Sequence, residues 1–291
     1  MPDALRVRAP ASSANLGPGF DCMALALELR NEVEITRGTG AAPVVRISGE
    51  GADEAPAGAD NLFLRAFQRG GGDVTGLEFT MTNRVPFARG LGSSAATITA
   101  ALVAAEAWTG AAEHDLLALA AEIEGHPDNV AAALNGGLTL AWMGGEGVSA
   151  IGFGEPEVGF VAVIPQARLS TAEARAALPA QVPHADAVHT AARAALLVAA
   201  IGSGDGELLR DALDDRLHEP YRAPLVPLLA AVRERAAGRD EIYGVTLSGA
   251  GPSVLVWCER GAESGVAETL AGMDAATATV LAVASRGASL G

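Results

Sequence analysis

Residues 84–100 read RVPFARGLGSSAATITA. Gly90 and Gly92 permit backbone angles closed to other residues and remove side chains that would keep a ligand off the main chain. Ser93 or Ser94 is placed to cap the helix that starts there. The run that follows predicts a helix over 94–108, with Ile98, Ala101, Leu102, Ala105 and Trp108 along one face. A helix N-terminus presents unpaired N–H groups and about half a positive charge. The stretch therefore commits the chain to a loop-to-helix junction that cradles an anion, although a plain capped helix after a turn fits the same residues. It lacks the lysine and the spacing of a Walker loop, and the third glycine and acidic residue of a dinucleotide fingerprint.

Charge sharpens the question of what sits there. The chain has 291 residues, a net charge of -15 and no lysine, so every fixed cation is an arginine. Such a surface repels nucleic acid. It also repels a free polyphosphate, so a phosphate site needs local compensation from arginines, helix N-termini or a divalent metal. A serine hydroxyl with a carboxylate suits such a metal. About half the residues are apolar, enough for a sizeable core. No charge-free apolar run reaches a membrane span and no signal core opens the sequence, so a cytoplasmic protein is expected. Cys22 and Cys258 fit no metal or redox spacing and read as small buried hydrophobes.

Strand-like alternation occurs over 5–9, 31–37, 43–48 and 77–82, and helices are expected at 61–69 and 113–124. A strand follows at 136–143, and after a Gly-rich stretch another begins at 158–165. The second half predicts helices near 171–178, 185–203, 205–217, 223–237 and 262–273, with strands near 242–247, 253–258 and 278–284. The interleaving argues for α+β layers, with domains 1–157 and 158–291.

The helix 113–124 offers two late carboxylates. Leu116, Ala120 and Ile123 mark its buried stripe, Glu122 falls opposite, and Glu124 lies at the stripe's edge, where a carboxylate needs a cation. Glu124 is the better metal ligand. Pro127 is expected to end the helix. His126, Asp128 and Asn129 then gather on a polar loop, which turn chemistry alone could also produce. Two further Gly-rich loops flank this region: APASSANLGPGFDCM at 9–23 and TLSGAGPSVLVW at 246–257.

Three such loops in this order resemble the GHMP small-molecule kinases. PFARGLGSSAA and SGAGPS carry that resemblance. PASSANLGPGFD, EGHPDNVAAALNGG, STAEARAALP and EPYR are similar to the homoserine kinases among them. The resemblance implies an N-terminal ATP-binding domain like domain 2 of ribosomal protein S5 and a ferredoxin-like C-terminal domain. It implies transfer of phosphate from ATP to the side-chain hydroxyl of L-homoserine, with Mg2+ in place of the missing lysine. The matching phosphate-loop positions are Pro86, Phe87, Ala88, Arg89, Gly90, Leu91, Gly92, Ser93, Ser94, Ala95 and Ala96, with Gly249 and Gly251 lining the same site and Asn61 near the nucleotide. Ser94 and Glu124 match the Mg2+ positions. Asn15, Asp21, His126, Thr171, Arg175 and Arg222 match substrate positions, the two arginines near the carboxylate and Asp21 suited to the ammonium. Asn129 stands where some relatives carry an aspartate base. That suggests transfer by positioning and charge stabilisation, with Asp128 as the fallback base. A GHMP kinase for another alcohol and an inactive ligand-binding sensor are the rival readings, and a homodimer is left open.

Overall fold

The computed structural model describes residues 3–112, 115–145, 147–273 and 275–291. Its first sheet is built on a long antiparallel pair, β1 (Ala4–Asn15) and β2 (Gly19–Arg37), paired from Ala4 opposite Thr36 to Asn15 opposite Gly19 with register shifts after Pro10 and Ala14. The far half of β2 pairs with β4 (Leu77–Asn83), and β3 (Val44–Gly49) lies parallel to β4. The near half of β2 pairs with β5 (Leu138–Gly144), which carries β6 (Gly147–Gly154) at its other edge. The alternation over 31–37 is part of β2, but 19–30 is strand as well. There the residues MALAL are buried without a break, so no alternation marks them in the sequence.

One face of this sheet is covered by α1 (Leu62–Arg69), α2 (Ser93–Thr109), α3 (Leu116–Glu124) and α4 (Asp128–Asn135). Phe63, Phe67, Phe79, Ile98, Leu102 and Trp108 form the centre of that core. The alanines of α2 let it pack closely, so it is buried beyond the single face its spacing predicts. Of the expected helix 113–124, residues 113 and 114 lie outside the described residues. Asp115 caps α3 by accepting from the N–H groups of Leu117 and Ala118. Gly125, in the left-handed conformation, ends α3 rather than Pro127. Pro127 instead opens α4, so Asp128 and Asn129 belong to a helix and not to a loop.

The second sheet has the order β10 (Ala276–Val280), β7 (Gly159–Pro165), β9 (Val254–Cys258), β8 (Ile242–Leu247), all antiparallel, the ferredoxin-like arrangement. One face packs against α9 (Pro227–Ala236) and α10 (Glu263–Leu270) through Val161, Val163, Val254 and Val256. On the other, Phe160 and Trp257 meet edge to face and pack with Leu197 of α6 (His184–Ser203) and Leu209 of α7 (Gly206–Ala212). That cluster also takes in Leu25, Leu27 and Leu138, which joins the two sheets. The chain crosses between the sheets after Gly154 and returns at its end, where β11 (Ser289–Leu290) pairs with β1. Helix α6 is long and apolar enough by composition to cross a membrane, yet it carries Asp186 and Arg193, so it is not a charge-free run, and it buries Leu197 and Ala200 in the protein core.

The short helices α5 (Thr171–Ala176) and α8 (Glu219–Arg222) hold the elements between β7 and β8. A four-residue helix has little stability of its own, so α8 depends on side-chain anchors. The buried Asp215 carboxylate accepts from the N–H groups of Leu217, His218 and Glu219. Glu219, also buried, accepts from Leu247 N at 2.6 Å and from Arg233. Burial pushes the Glu219 carboxyl up to about 7, against the Arg233 charge and the Leu247 N–H that favour its ionised form. A raised native value means stability that is complete below the usual carboxylate range and lost as pH rises through about 7. Glutamine mimics the protonated form. The melting temperature of the native chain minus that of Glu219→Gln should therefore fall between about pH 5 and about pH 8. A difference that grows with pH would mean that Arg233 holds Glu219 ionised throughout.

Candidate active site

Four consecutive carbonyls define the glycine-serine loop. Ala88 O accepts from Leu169 N, Arg89 O from Ser253 N, Gly90 O from the Ser248 hydroxyl at 2.7 Å, and Leu91 O from Ser12 N. In a trans peptide the N–H points opposite to the preceding carbonyl. Tying these four oxygens to the protein thus turns each N–H group of residues 89–92 away from the partner of its own peptide's carbonyl, in a loop that lines the cleft. Gly92, with φ of 66°, starts α2 without any side-chain cap, so neither serine fulfils the expected capping role. The first-turn N–H groups of α2 have no intrahelical acceptor and remain available. A cap would have consumed the donors that an anion needs.

The cleft, about 270 Å³, is lined by Asn15, Asp21, residues 86–94, Glu124, His126, Asn129, Thr171, Arg175, Arg222, Gly249 and Gly251, together with Asp128, Leu169, Ser170 and Ala250. Almost every residue singled out in the sequence is therefore on one surface. Three are not. Ala95 and Ala96 are fully buried inside α2. Asn61 lies outside the cleft lining, where its Oδ1 caps α1 through Phe63 N and Leu64 N and its Nδ2 donates to Pro56 O. Arg89 lines the cleft, but its guanidinium turns to Glu50 at 3.0 Å.

Strain is concentrated here. Asn15, Leu16, Asp21 and Ala88 all have positive φ, and Ala275 is the one other such non-glycine among the described residues. Each costs on the order of 1 kcal/mol and persists only where surrounding bonds fix it. Asn15 illustrates how: its amide donates to Gly249 O at 2.7 Å and accepts from Asp21 N at 3.0 Å. The first and third glycine loops are thereby joined.

A chain of polar contacts crosses the floor. Ser12, fully buried, donates to Asn129 Oδ1 at 2.8 Å. Asp128 Oδ1 accepts from Asn129 N at 2.7 Å and lies 2.8 Å from His126 Nδ1. The other ring nitrogen of His126 is 4.0 Å from Glu124, whose carboxylate accepts from the Ser94 hydroxyl at 2.6 Å. Burial pushes the Glu124 carboxyl up, while the Ser94 bond and His126 work the other way. For His126, burial disfavours the charged ring, but the Asp128 bond and the charges of Asp128 and Glu124 outweigh it and raise its pKa.

At the other end, Arg175 makes a two-point ion pair with Asp21, at 2.7 and 3.0 Å. Arg222 is 1% exposed and has no carboxylate partner among the described residues. It donates to Ala174 O through Nε, and its Nη1 lies near Gly249 O and His218. Burial first, then the Arg175 charge, lowers its pKa. A buried cation without a counterion is costly and marks a place where an anion is expected.

Residues 59–137 match the GHMP kinases N terminal domain family, and residues 197–273 the GHMP kinases C terminal family. The chain is 48% identical to the homoserine kinase of Streptomyces coelicolor, over 93% of this chain and 89% of that one. It is 46% identical to that of Streptomyces avermitilis, over 99% and 95%. The chain belongs to the homoserine kinases of the GHMP family. The crystal structure of homoserine kinase from Cytophaga hutchinsonii superposes with a TM-score of 0.87 at 26% identity, covering 100% of this chain and 98% of that one. A mevalonate kinase structure, 16% identical with a TM-score of 0.69 and covering 97% and 100%, shares the fold. For this homoserine kinase family member the expected fold, kinase class and family are all met. Residue-level reading missed Ser12 and His218. The signal for His218 was its spacing, four residues before Arg222, from the position that precedes α8.

Gly92 tests the loop. A Cβ there would sit 2.0 Å from Ser12 Oγ, on a backbone conformation that L residues avoid. Gly92→Ala should raise the ATP dissociation constant at least about tenfold, with homoserine binding in the absence of nucleotide changed much less. Equal loss of both, read by calorimetry, would point to collapse of the first sheet's packing instead.

Proposed function

We infer that this chain moves the γ-phosphoryl group of ATP to the side-chain hydroxyl of L-homoserine, giving O-phospho-L-homoserine and ADP. The buried, unpaired Arg222 carries the reading, because it supplies the charge a substrate carboxylate requires. With Arg175 beside it and Asp21 paired to Arg175, this end of the cleft holds two cations and one anion. A zwitterionic amino acid complements that set: its carboxylate meets the two arginines and its ammonium meets Asp21. An alcohol without a carboxylate leaves Arg222 uncompensated. This argues against a GHMP kinase for a neutral alcohol. The presence of both Ser94 and Glu124 argues against an inactive sensor.

At the nucleotide end, the free N–H groups of the loop and of α2 would receive phosphate oxygens. The donor set at Ser94 and Glu124 fits Mg2+. The carboxylate is buried, has a hydroxyl at 2.6 Å, and lacks a full cationic partner. Among the described residues no cluster of three metal-binding side chains exists, so other positions would fall to phosphate oxygens and water. When bound, Mg2+ would neutralise charge on the β- and γ-phosphates. In the transfer the homoserine oxygen forms a bond to phosphorus as the bond to the ADP oxygen breaks. The hydroxyl proton passes to phosphate oxygen or water. Asp128 is a poor base, because it is 2% exposed and held by Asn129 N and His126. Asn129, with its amide oxygen fixed by Ser12, would orient the acceptor instead. In this reading 1–157 carries the nucleotide end and 158–291 the carboxylate end, and the enzyme acts in the cytoplasm on the way to threonine.

The test compares two enzymes with two substrates. With homoserine, Arg222→Ala should lose about tenfold to a hundredfold in kcat/KM, the effect of one charge-assisted hydrogen bond of roughly 1.5–3 kcal/mol. With 3-amino-1-propanol, which lacks only the carboxylate, the native enzyme should be poor and the variant nearly as good as the native. An equal loss on both substrates would make Arg222 structural and remove the main support for an amino-acid substrate.

A further inference from the structure

His218 has no role in the chemistry above, yet it is wholly buried and every polar atom of its ring is engaged. Nε2 lies 2.8 Å from Gly17 O, and Nδ1 lies 3.2 Å from Arg222 Nη1. The ring stacks on Phe20 with centroids 4.9 Å apart, and the Arg222 guanidinium lies over the same phenyl ring at 5.1 Å. A carbonyl oxygen only accepts and a guanidinium only donates. The two contacts are satisfied together by one form alone: neutral imidazole with its proton on Nε2 and its lone pair on Nδ1 facing Arg222. A second proton on Nδ1 would set donor against donor beside a buried cation.

We propose that His218 is a positioning residue that holds Arg222 in its carboxylate-binding attitude and ties it to the first glycine loop. Gly17 lies in the connection between β1, which ends at Asn15, and β2, which carries Asp21. The imidazole therefore bridges the element that would bind the substrate carboxylate and the one that would bind its ammonium, and sets the spacing between them. This rests on the amino-acid reading of the cleft given above. The surroundings support the neutral form. Burial lowers the His218 pKa to about 4, with the Arg222 charge adding to it and Asp215, Asp21 and the Gly17 carbonyl opposing. Asp215 lies 3.6 Å from Nε2, but its oxygens already accept from the α8 backbone and from Thr190.

Two substitutions separate the bridge into halves. Asparagine places its amide oxygen where Nδ1 stands, and glutamine places its amide nitrogen where Nε2 stands. His218→Asn keeps an acceptor for Arg222; His218→Gln keeps a donor for Gly17 but loses that acceptor. His218→Gln should raise KM for homoserine about tenfold with KM for ATP within about twofold of native, and His218→Asn should stay within about threefold for both. Equal effects of the two variants on KM for homoserine, or an equal rise in KM for ATP, would overturn the role. The native protein gives a readout that needs no variant: imidazole nitrogen NMR near neutral pH should show His218 as the Nε2–H tautomer. An Nδ1–H tautomer or a doubly protonated ring would overturn the proposal. Homoserine turnover by the native enzyme is recorded in the same assay. Its absence contradicts the proposed function, whereas normal turnover with indistinguishable Asn and Gln variants contradicts only the role of His218.

Discussion

The outward pull on four carbonyls, from Ala88 to Leu91, is the constraint on which the rest of this site depends. Peptide planarity turns each following N–H away from its tied carbonyl. Those donors continue without a break into the uncapped first turn of α2. The acceptor pattern is enforced from both halves of the chain: Ser12 comes from β1, and Leu169, Ser248 and Ser253 come from the second half. Neither half alone would hold the loop in this form. Gly90 shows how closely the halves meet, since a Cβ there would lie 2.3 Å from Ser248 O. The anion site is thus a product of docking the two sheets, and the apolar cluster of Leu25, Leu138, Phe160 and Trp257 that joins them is part of its support.

Charge is distributed along the cleft with the same economy. A chain with net charge -15 cannot attract phosphate or carboxylate by its surface as a whole. Most arginines are spent in ion pairs, such as Arg89 with Glu50 and Arg168 with Glu54. Backbone dipoles serve one end of the cleft. At the other, a desolvated guanidinium is kept from a carboxylate partner and anchored by neutral acceptors, Ala174 O and the His218 ring. Neutral anchors fix its position without cancelling its charge. An ion pair would have done both and left nothing for a ligand.

The local parts of this arrangement were legible in the sequence. Gly-Leu-Gly-Ser-Ser before an alanine-rich helix announces the anion cradle, and Glu124 at the edge of a buried stripe announces a carboxylate in need of a cation. What the sequence hid was long-range. Residues 23–27 of β2 are buried on both faces and so lack the alternation that marks a strand. Asp128 and Asn129 looked like loop residues because Pro127 seemed to break a helix, whereas it opens one. Asn61 drew attention as a nucleotide contact, and its cap on α1 depends on a bond to Pro56 O that no local pattern announces. Ser12 acts through Asn129, 117 residues away in the chain, and the His218 contact to Gly17 spans 201 residues; no spacing rule reaches either.

The account stands or falls on where the two ends of the substrate pair lie. The most direct measurement is a crystal structure of the enzyme with homoserine, Mg2+ and a non-hydrolysable ATP analogue. It should show phosphate oxygens on the N–H groups of residues 89–94, the metal on Ser94 and Glu124, and the homoserine carboxylate on Arg222 and Arg175. Phosphates bound away from the start of α2, or a homoserine carboxylate that leaves Arg222 unpaired, would contradict it.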